Sequence, residues 1–300
     1  MYEEFYGFNE RPFSLSPDPS FIFFGNTHKR ALNILEYGIM SNAGITIISG
    51  EVGTGKTTLI RSLLDMLGEE FVVGLITNTQ PNFGDLIKWV LSSFGIDTVE
   101  TDYVKLYQLL VEFITRQHEA NKKVVLIIDE AQNLNVDSLE DLRMLTNINV
   151  DKNPVLQLIL VGQPELVEIL KKKELRQFAQ RVSADYYLQP LSFKETEEYI
   201  KHRLRIAGGD ENLFAQTAFA TVFYHSGGIP RVINTICDMA LVYGFADEMH
   251  RIRKEIVLDA IRDRKIGGLA IREDQTINDE AQRLRSLILE KTGIDIAHVG

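Results

Sequence analysis

Residues 50–57 read Gly-Glu-Val-Gly-Thr-Gly-Lys-Thr, a spacing of glycines, lysine and threonine that could bind phosphate. Glycines let backbone N–H groups turn toward an anion, and a helix that follows adds positive potential. The lysine can reach β- and γ-phosphates, and the next hydroxyl can ligate Mg²⁺. We expect the nucleotide to contact Gly50, Glu51, Val52, Gly53, Thr54, Gly55, Lys56, Thr57 and Thr58.

A second candidate group is the acidic pair Asp129-Glu130, which follows the apolar run "VVLII". Ligands of parallel α/β sheets bind at the carboxyl ends of strands, where such a pair would lie. Asp129 is suited to hold Mg²⁺ together with Thr57, and Glu130 to take a proton from the attacking water. The two motifs together predict hydrolysis of ATP with Mg²⁺.

The elements that must position these residues alternate along the chain. Mostly apolar strands that alternate with helices predict a parallel sheet covered on both faces, in a P-loop α/β domain. The predicted strands are 44–49, 71–77, 124–129, 156–162 and 184–189. The predicted helices of this domain are 28–40, 57–67, 83–95, 103–120, 137–147, 164–171 and 173–181.

The rest of the chain divides into three further parts. Residues 1–26 are rich in proline and aromatic residues, which predicts an irregular segment pinned on a domain surface. Beyond residue 190, four helices are predicted, which together form a small all-α domain. They are 193–206, 212–226, 229–246 and 254–263, and a short helix is predicted at 281–293. We therefore expect an ATPase core at 1–190, a helical lid at 191–266 and a connector with tail at 267–300.

Composition limits the classes of protein. The 300 residues include 45% hydrophobic and 25% charged side chains, enough for two globular domains with cores of their own. A net charge of -10 argues against a surface that coats nucleic acid throughout, and Cys237, the single cysteine, excludes an intrachain disulfide. No apolar run approaches the roughly 18 residues of a membrane helix. We expect no integral membrane segment and a location in the cytoplasm or peripheral at the inner membrane.

Several stretches resemble one family. They are "FYGFNERPFSLSPDPSFIFFGNTHKRALNILEYGI", "GEVGTGKTT", "IIDEAQNL", "LVGQPEL", "LRQFAQRV" and "GGIPRVIN". The chain resembles AAA+ ATPases of the general secretion pathway protein A (ExeA-like) family over about residues 1–265. This resemblance implies an AAA+ core with a five-stranded parallel sheet, a small all-α lid domain, and use of ATP.

The resemblance also implies roles for further polar residues. Gln163 matches the sensor of the γ-phosphate and the attacking water, and Asn78 matches a residue that can restrain the catalytic glutamate. Arg231 matches the lid arginine that reaches back to the phosphates. Arg181, with Arg176 as the reserve, matches the arginine that reaches the nucleotide of a neighbouring subunit.

These roles imply a homo-oligomer, as a ring or a filament, whose biological work stays open between alternatives. One is assembly of a cell-envelope secretion, pilus or export system, with protein partners from that machine. Another is a DNA-bound ATPase that selects target sites for transposition, for which "LKKKELRQ" (170–177) offers basic residues. A third is a nucleotide-dependent switch with slow turnover.

Overall fold

The computed structural model describes residues 1–16, 18–41, 44–77, 79, 86–150, 153–263 and 279–297. By their internal contacts, these residues form two compact units. A helical unit comprises the described residues within 1–27, 53–55 and 189–300, and a sheet unit comprises those within 28–52 and 56–188.

The sheet unit contains the five predicted strands, all parallel to their neighbours. They are β1 (Ile45–Ser49), β2 (Phe71–Ile76), β3 (Lys123–Ile128), β6 (Leu156–Gly162) and β7 (Val182–Tyr187). The order across the sheet is β2-β3-β6-β1-β7. Ser49 pairs with Gly162, and Ile128 with Leu160, so the carboxyl ends of the three central strands meet at one edge. The predicted parallel sheet is confirmed.

Helices cover both faces of this sheet. They are α2 (Asn26–Met40), α3 (Lys56–Met66), α4 (Leu86–Ser93), α5 (Tyr103–Glu119), α6 (Val136–Leu145), α7 (Pro164–Leu170) and α8 (Arg176–Ala179). Side chains of a strand alternate between the faces. In β3, Val124 and Leu126 join a core with α4, α5 and α6, whereas Val125 and Ile127 join a second core with α2 and α3.

Several elements differ from the sequence prediction in their bounds, and one short pair of strands was not predicted. The predicted helix 173–181 is a 3-10 turn at Lys173–Leu175 followed by the one-turn helix α8. The last strand begins at Val182, two residues before its predicted start. A short antiparallel pair, β4 (Asn149–Val150) with β5 (Asn153–Pro154), was not predicted because two-residue strands carry no periodicity.

The helical unit contains the four predicted helices of the lid and the predicted tail helix. They are α9 (Phe193–Ile206), α10 (Gln216–Ser226), α11 (Pro230–Ala246), α12 (Lys254–Arg262) and α13 (Asp279–Thr292). Helix α9 begins with a capping box, in which the Ser192 hydroxyl accepts from the Glu195 N–H and the Glu195 carboxylate accepts from the Ser192 N–H. Helix α13 packs on α10 through Ala281.

The N-terminal segment belongs by its contacts to the helical unit, not to the ATPase core in which the sequence analysis placed it. It begins with a helix, α1 (Tyr2–Tyr6), where an irregular segment was predicted. The helix can form because the prolines start only at Pro12, and Gly7, with φ +72°, ends it in the left-handed conformation. Phe8 and Phe13 are buried in the core of the helical unit.

Among the described residues, no helix combines the length and the apolar character that a membrane span requires.

Candidate active site

The phosphate-binding motif forms the connection between β1 and α3, as predicted. Gly53 and Gly55 have φ angles of +84° and +100°, which residues with a Cβ rarely adopt. Helix α3 begins at Lys56, so the loop leads directly into a helix N-terminus. A glycine-rich loop that leads into a helix N-terminus is the kind of arrangement that binds an anion through backbone N–H groups.

Lys56 is buried, with 6% of its surface exposed. Its ammonium donates to the carbonyl oxygens of Gly50 at 2.7 Å and Glu51 at 3.0 Å. Burial lowers the pKa of Lys56, and the nearby carboxylates of Glu130 and Asp129 oppose that shift. A buried ammonium that rests on neutral carbonyls is matched to an anionic ligand, because a phosphate would offset its desolvation.

Thr57 and Asp129 lie together, although 72 positions separate them in the chain. The Thr57 hydroxyl donates to Asp129 Oδ2 at 3.0 Å, and the Glu130 N–H donates to Asp129 Oδ1 at 2.9 Å. Burial raises the pKa of Asp129, against the effect of these donors. A hydroxyl and a carboxylate are oxygen ligands of the kind that Mg²⁺ takes in nucleotide sites, so the pair fits the predicted metal.

Glu130 adopts the left-handed conformation, with φ 54°. Its Oε2 accepts from the side-chain amides of Gln132 at 2.6 Å and Gln163 at 3.2 Å. Burial alone would raise the pKa of Glu130, but these two donors hold it below its ordinary value. The carboxylate is thus ionised and oriented, which are two requirements of a general base.

The structure therefore brings together, at the carboxyl edge of the sheet, the residues predicted from separate motifs. Gln163 directly follows β6 and contacts the predicted base. Two polar residues of this edge were not predicted: Gln132, and Thr79, whose hydroxyl donates to the Glu130 carbonyl at 2.7 Å. Thr79 lies next to Asn78, which is outside the described residues. Thr79 lies three positions after β2 and Gln132 four positions after β3, and Gln132 is also part of the stretch "IIDEAQNL".

The remaining loop residues differ in exposure. Thr54 is fully buried, Thr58 is half-buried, and Val52 is exposed. Glu51 is exposed and accepts from the Tyr187 hydroxyl at 3.2 Å. Burial, and next the Glu51 carboxylate, raise the pKa of Tyr187 to about 12, so Tyr187 stays a hydrogen-bond donor at neutral pH.

Arg231 is exposed in the first turn of α11, directly after Pro230. Its backbone N–H donates to the Gly53 carbonyl at 3.2 Å within the helical unit. A Cβ built on Gly53 would lie 2.6 Å from the Arg231 Cβ, so the close approach itself requires a glycine. The predicted lid arginine thus contacts the predicted phosphate loop through its backbone.

Arg181 and Arg176 lie away from this edge. Arg181 directly precedes β7, is half-buried, and donates through Nη1 to the Thr146 hydroxyl at 3.1 Å. Val182 pairs with Ile45, the first residue of β1, so Arg181 lies at the amino edge of the sheet. Arg176 is exposed at the start of α8.

Fold and site together define a P-loop protein of the AAA+ class, and comparison with known proteins agrees. A family model described as an AAA domain matches residues 39–170. The chain also resembles archaeal structures and a Drosophila ORC structure, the latter with a TM-score of 0.59 at 19% identity over 94% of this chain and 72% of that one. The ORC2 protein of Aeropyrum pernix has a TM-score of 0.64 at 15% identity, over 97% of this chain and 87% of that one. Cdc6p of Pyrobaculum aerophilum has a TM-score of 0.61 at 17% identity, over 96% and 86%.

A closer relationship is found in a curated relative. General secretion pathway protein A of Aeromonas hydrophila is 40% identical over 253 residues, which is 84% of this chain and 46% of the relative. The chain is thus an AAA-domain protein homologous to General secretion pathway protein A, which confirms the resemblance read from the sequence. It spans about half the length of that relative.

Proposed function

We propose that the protein hydrolyses ATP with Mg²⁺ at the carboxyl edge of its sheet. The observation that carries the proposal is the meeting, at this one edge, of a buried lysine, a threonine–aspartate pair and an oriented glutamate. A phosphate loop alone supports binding, whereas Glu130 beside it supports turnover.

Each residue has a defined task in this proposal. Lys56 exchanges its loop carbonyls for the β- and γ-phosphates and neutralises their charge. Thr57 and Asp129 hold Mg²⁺, which screens the phosphate oxygens when bound. Glu130 accepts the proton of the attacking water, and Gln163 can orient that water because its amide both donates and accepts.

The test is phosphate release from ATP by the full chain, with Mg²⁺ and with EDTA, beside the variants Lys56→Ala and Glu130→Gln. We expect turnover only with Mg²⁺ and only in the unchanged chain. A rate that is equal in all four samples would assign the hydrolysis to a contaminant and remove this proposal.

For the biological process, we favour an oligomer that works in assembly of a cell-envelope machine, in the cytoplasm or at the inner membrane. The support is the homologue, whose name refers to the general secretion pathway. Stimulation of the ATPase by vesicles of inner-membrane lipids or by peptidoglycan would support this role. An unchanged rate with both would argue against it.

DNA-dependent selection of transposition sites is the second candidate. Four exposed cations, Lys171, Lys172, Lys173 and Arg176, fall within six residues, and a related fold belongs to a Drosophila ORC structure titled as bound to DNA. If they bind DNA phosphates, affinity for duplex DNA must fall steeply with salt. We expect no tight binding at physiological salt without ATP, and an ATP-dependent filament on duplex DNA would favour the second candidate.

A further inference from the structure

Gln132 links Glu130 and Gln163, the two polar residues that the proposed reaction uses at the carboxyl edge of the sheet. Its Nε2 donates to Glu130 Oε2 at 2.6 Å, and its Oε1 accepts from the Gln163 backbone N–H at 2.9 Å. Gln163 in turn donates through its own side chain to the same Glu130 oxygen at 3.2 Å. Both ends of the Gln132 amide are therefore used, and the three residues form a closed ring of hydrogen bonds.

This ring fixes which carboxylate oxygen is available. Glu130 Oε2 accepts from two amides, and within the part of the chain that the structure describes no hydrogen bond engages Oε1, so we assign Oε1 to the attacking water. We propose that Gln132 is a positioning residue for the proposed ATP hydrolysis. It holds the Glu130 carboxylate in a fixed position relative to the Gln163 side chain. The inference rests on the proposed function and assigns to it a residue outside the predicted site.

The backbone around Gln132 is shaped for this role. Gln132 lies in a 3-10 turn, Ala131–Asn133, that follows directly after Glu130 and its positive φ. Across from it, Gly162 leaves room for the amide, since a Cβ on Gly162 would lie 2.9 Å from Gln132 Oε1. A larger residue at the end of β6 would thus displace the amide from the Gln163 N–H.

Two variants separate the contacts of Gln132. Gln132→Met keeps the length of the side chain and removes both hydrogen bonds. Gln132→Glu keeps an acceptor for the Gln163 N–H and replaces the donor to Glu130 by a like charge. Because a small misplacement of a reacting group is costly, we expect both to lower kcat by about 10- to 100-fold while the Kd for ATP, from calorimetry, stays within about two-fold.

Gln157→Met is the matched control. Gln157 is buried, whereas Gln132 is half-buried; Gln157 lies on the strand that ends before Gln163, and it donates through Nε2 to the Ile39 carbonyl at 2.8 Å. This variant loses a glutamine hydrogen bond far from the acidic pair, so it should lower the melting temperature and leave kcat unchanged.

The outcomes distinguish this inference from the proposed function. If the unchanged chain hydrolyses ATP, Glu130→Gln does not, and both Gln132 variants retain the full kcat or exceed it, the positioning role is wrong while the ATPase stands. The role also fails if kcat falls only in proportion to the melting temperature, as in the Gln157 control. If the unchanged chain does not hydrolyse ATP, the proposed function itself fails.

Discussion

The two edges of the sheet carry cations in different settings. At the carboxyl edge, Lys56 is buried beside Asp129 and Glu130, next to a loop suited to an anion. At the amino edge, Arg181 is half-buried and donates through its side chain to a neutral hydroxyl, that of Thr146. Strand β1 separates the edges by five residues, or about 16 Å at roughly 3.3 Å per residue. Arg181 therefore cannot reach the phosphate loop of its own sheet, so a phosphate contact would have to be made to a neighbouring subunit.

The largest effect on turnover is expected from Arg181→Ala, if Arg181 at the amino edge contacts the nucleotide bound to a neighbouring subunit. A guanidinium is always charged and can contact two phosphate oxygens, and such arginines are worth about 10³–10⁵ in rate. ATP binding should persist while turnover collapses. Mixing Arg181→Ala with Lys56→Ala should restore activity, because the intact loop of the first then meets the intact arginine of the second.

Arg176→Ala is the control for that experiment, because it removes an exposed cation close in sequence. If Arg176→Ala loses turnover and Arg181→Ala does not, the reserve assignment is correct. Co-assembled mixtures that stay as inactive as their components would show that the amino edge does not act across an interface.

Glu130→Gln is expected to have the next largest effect, at the carboxyl edge alone. The amide cannot take the proton of water, so kcat should fall by about 10²–10⁴ while ATP still binds. Steady-state phosphate release and calorimetry measure the two quantities. An unchanged kcat would remove Glu130 from the role of base, whatever the result for Arg181.

Lys56→Ala should act on binding and not on stability. Loss of a buried charge partner costs about 2–4 kcal/mol, so the affinity for ATP should fall roughly 30- to 1,000-fold. The melting temperature of the free protein should be unchanged or higher, since a buried cation with a lowered pKa is removed. Tight ATP binding by this variant would contradict the assignment of the loop.

The contrast between the edges also explains what the sequence could predict. Residues 50–57 and Asp129-Glu130 carry local signals, a glycine spacing and an apolar run before acids, and the structure brings them together. Gln132 lies in the quoted stretch "IIDEAQNL", but its contact with the Gln163 backbone, 31 positions away, carries no local signal. Sequence neighbours do not reveal a contact made by folding.

The helical unit also contains a contact between distant residues that the sequence does not predict. Its helices were predicted from periodicity, but burial of Arg203 was not. Arg203 donates to the carbonyls of Pro12 and Ser14 and to the Tyr199 hydroxyl, and it lies over the Phe21 ring. These contacts attach the N-terminal segment to α9, across almost two hundred positions. Charge alone favours a solvated arginine, so only the tertiary structure could locate it.

The smallest effect is expected from Thr146→Val, which tests what holds Arg181 at the amino edge. Thr146 is buried and of nearly the same shape as valine, so the change removes a hydroxyl that accepts from Arg181 Nη1 at 3.1 Å and donates to the Arg143 carbonyl at 2.7 Å. Each of these hydrogen bonds is worth about 1 kcal/mol, so the free energy of unfolding should fall by about 2 kcal/mol. The Thr146 hydroxyl competes with a neighbour's phosphate for the Arg181 guanidinium if Arg181 must leave Thr146 to reach that phosphate. Removal of the hydroxyl should then raise kcat by up to about five-fold. A fall in kcat at saturating ATP would instead mean that Thr146 orients the Arg181 guanidinium toward the neighbour's phosphate. The hydrogen bond would then preorganise Arg181 for catalysis and would not hold it back.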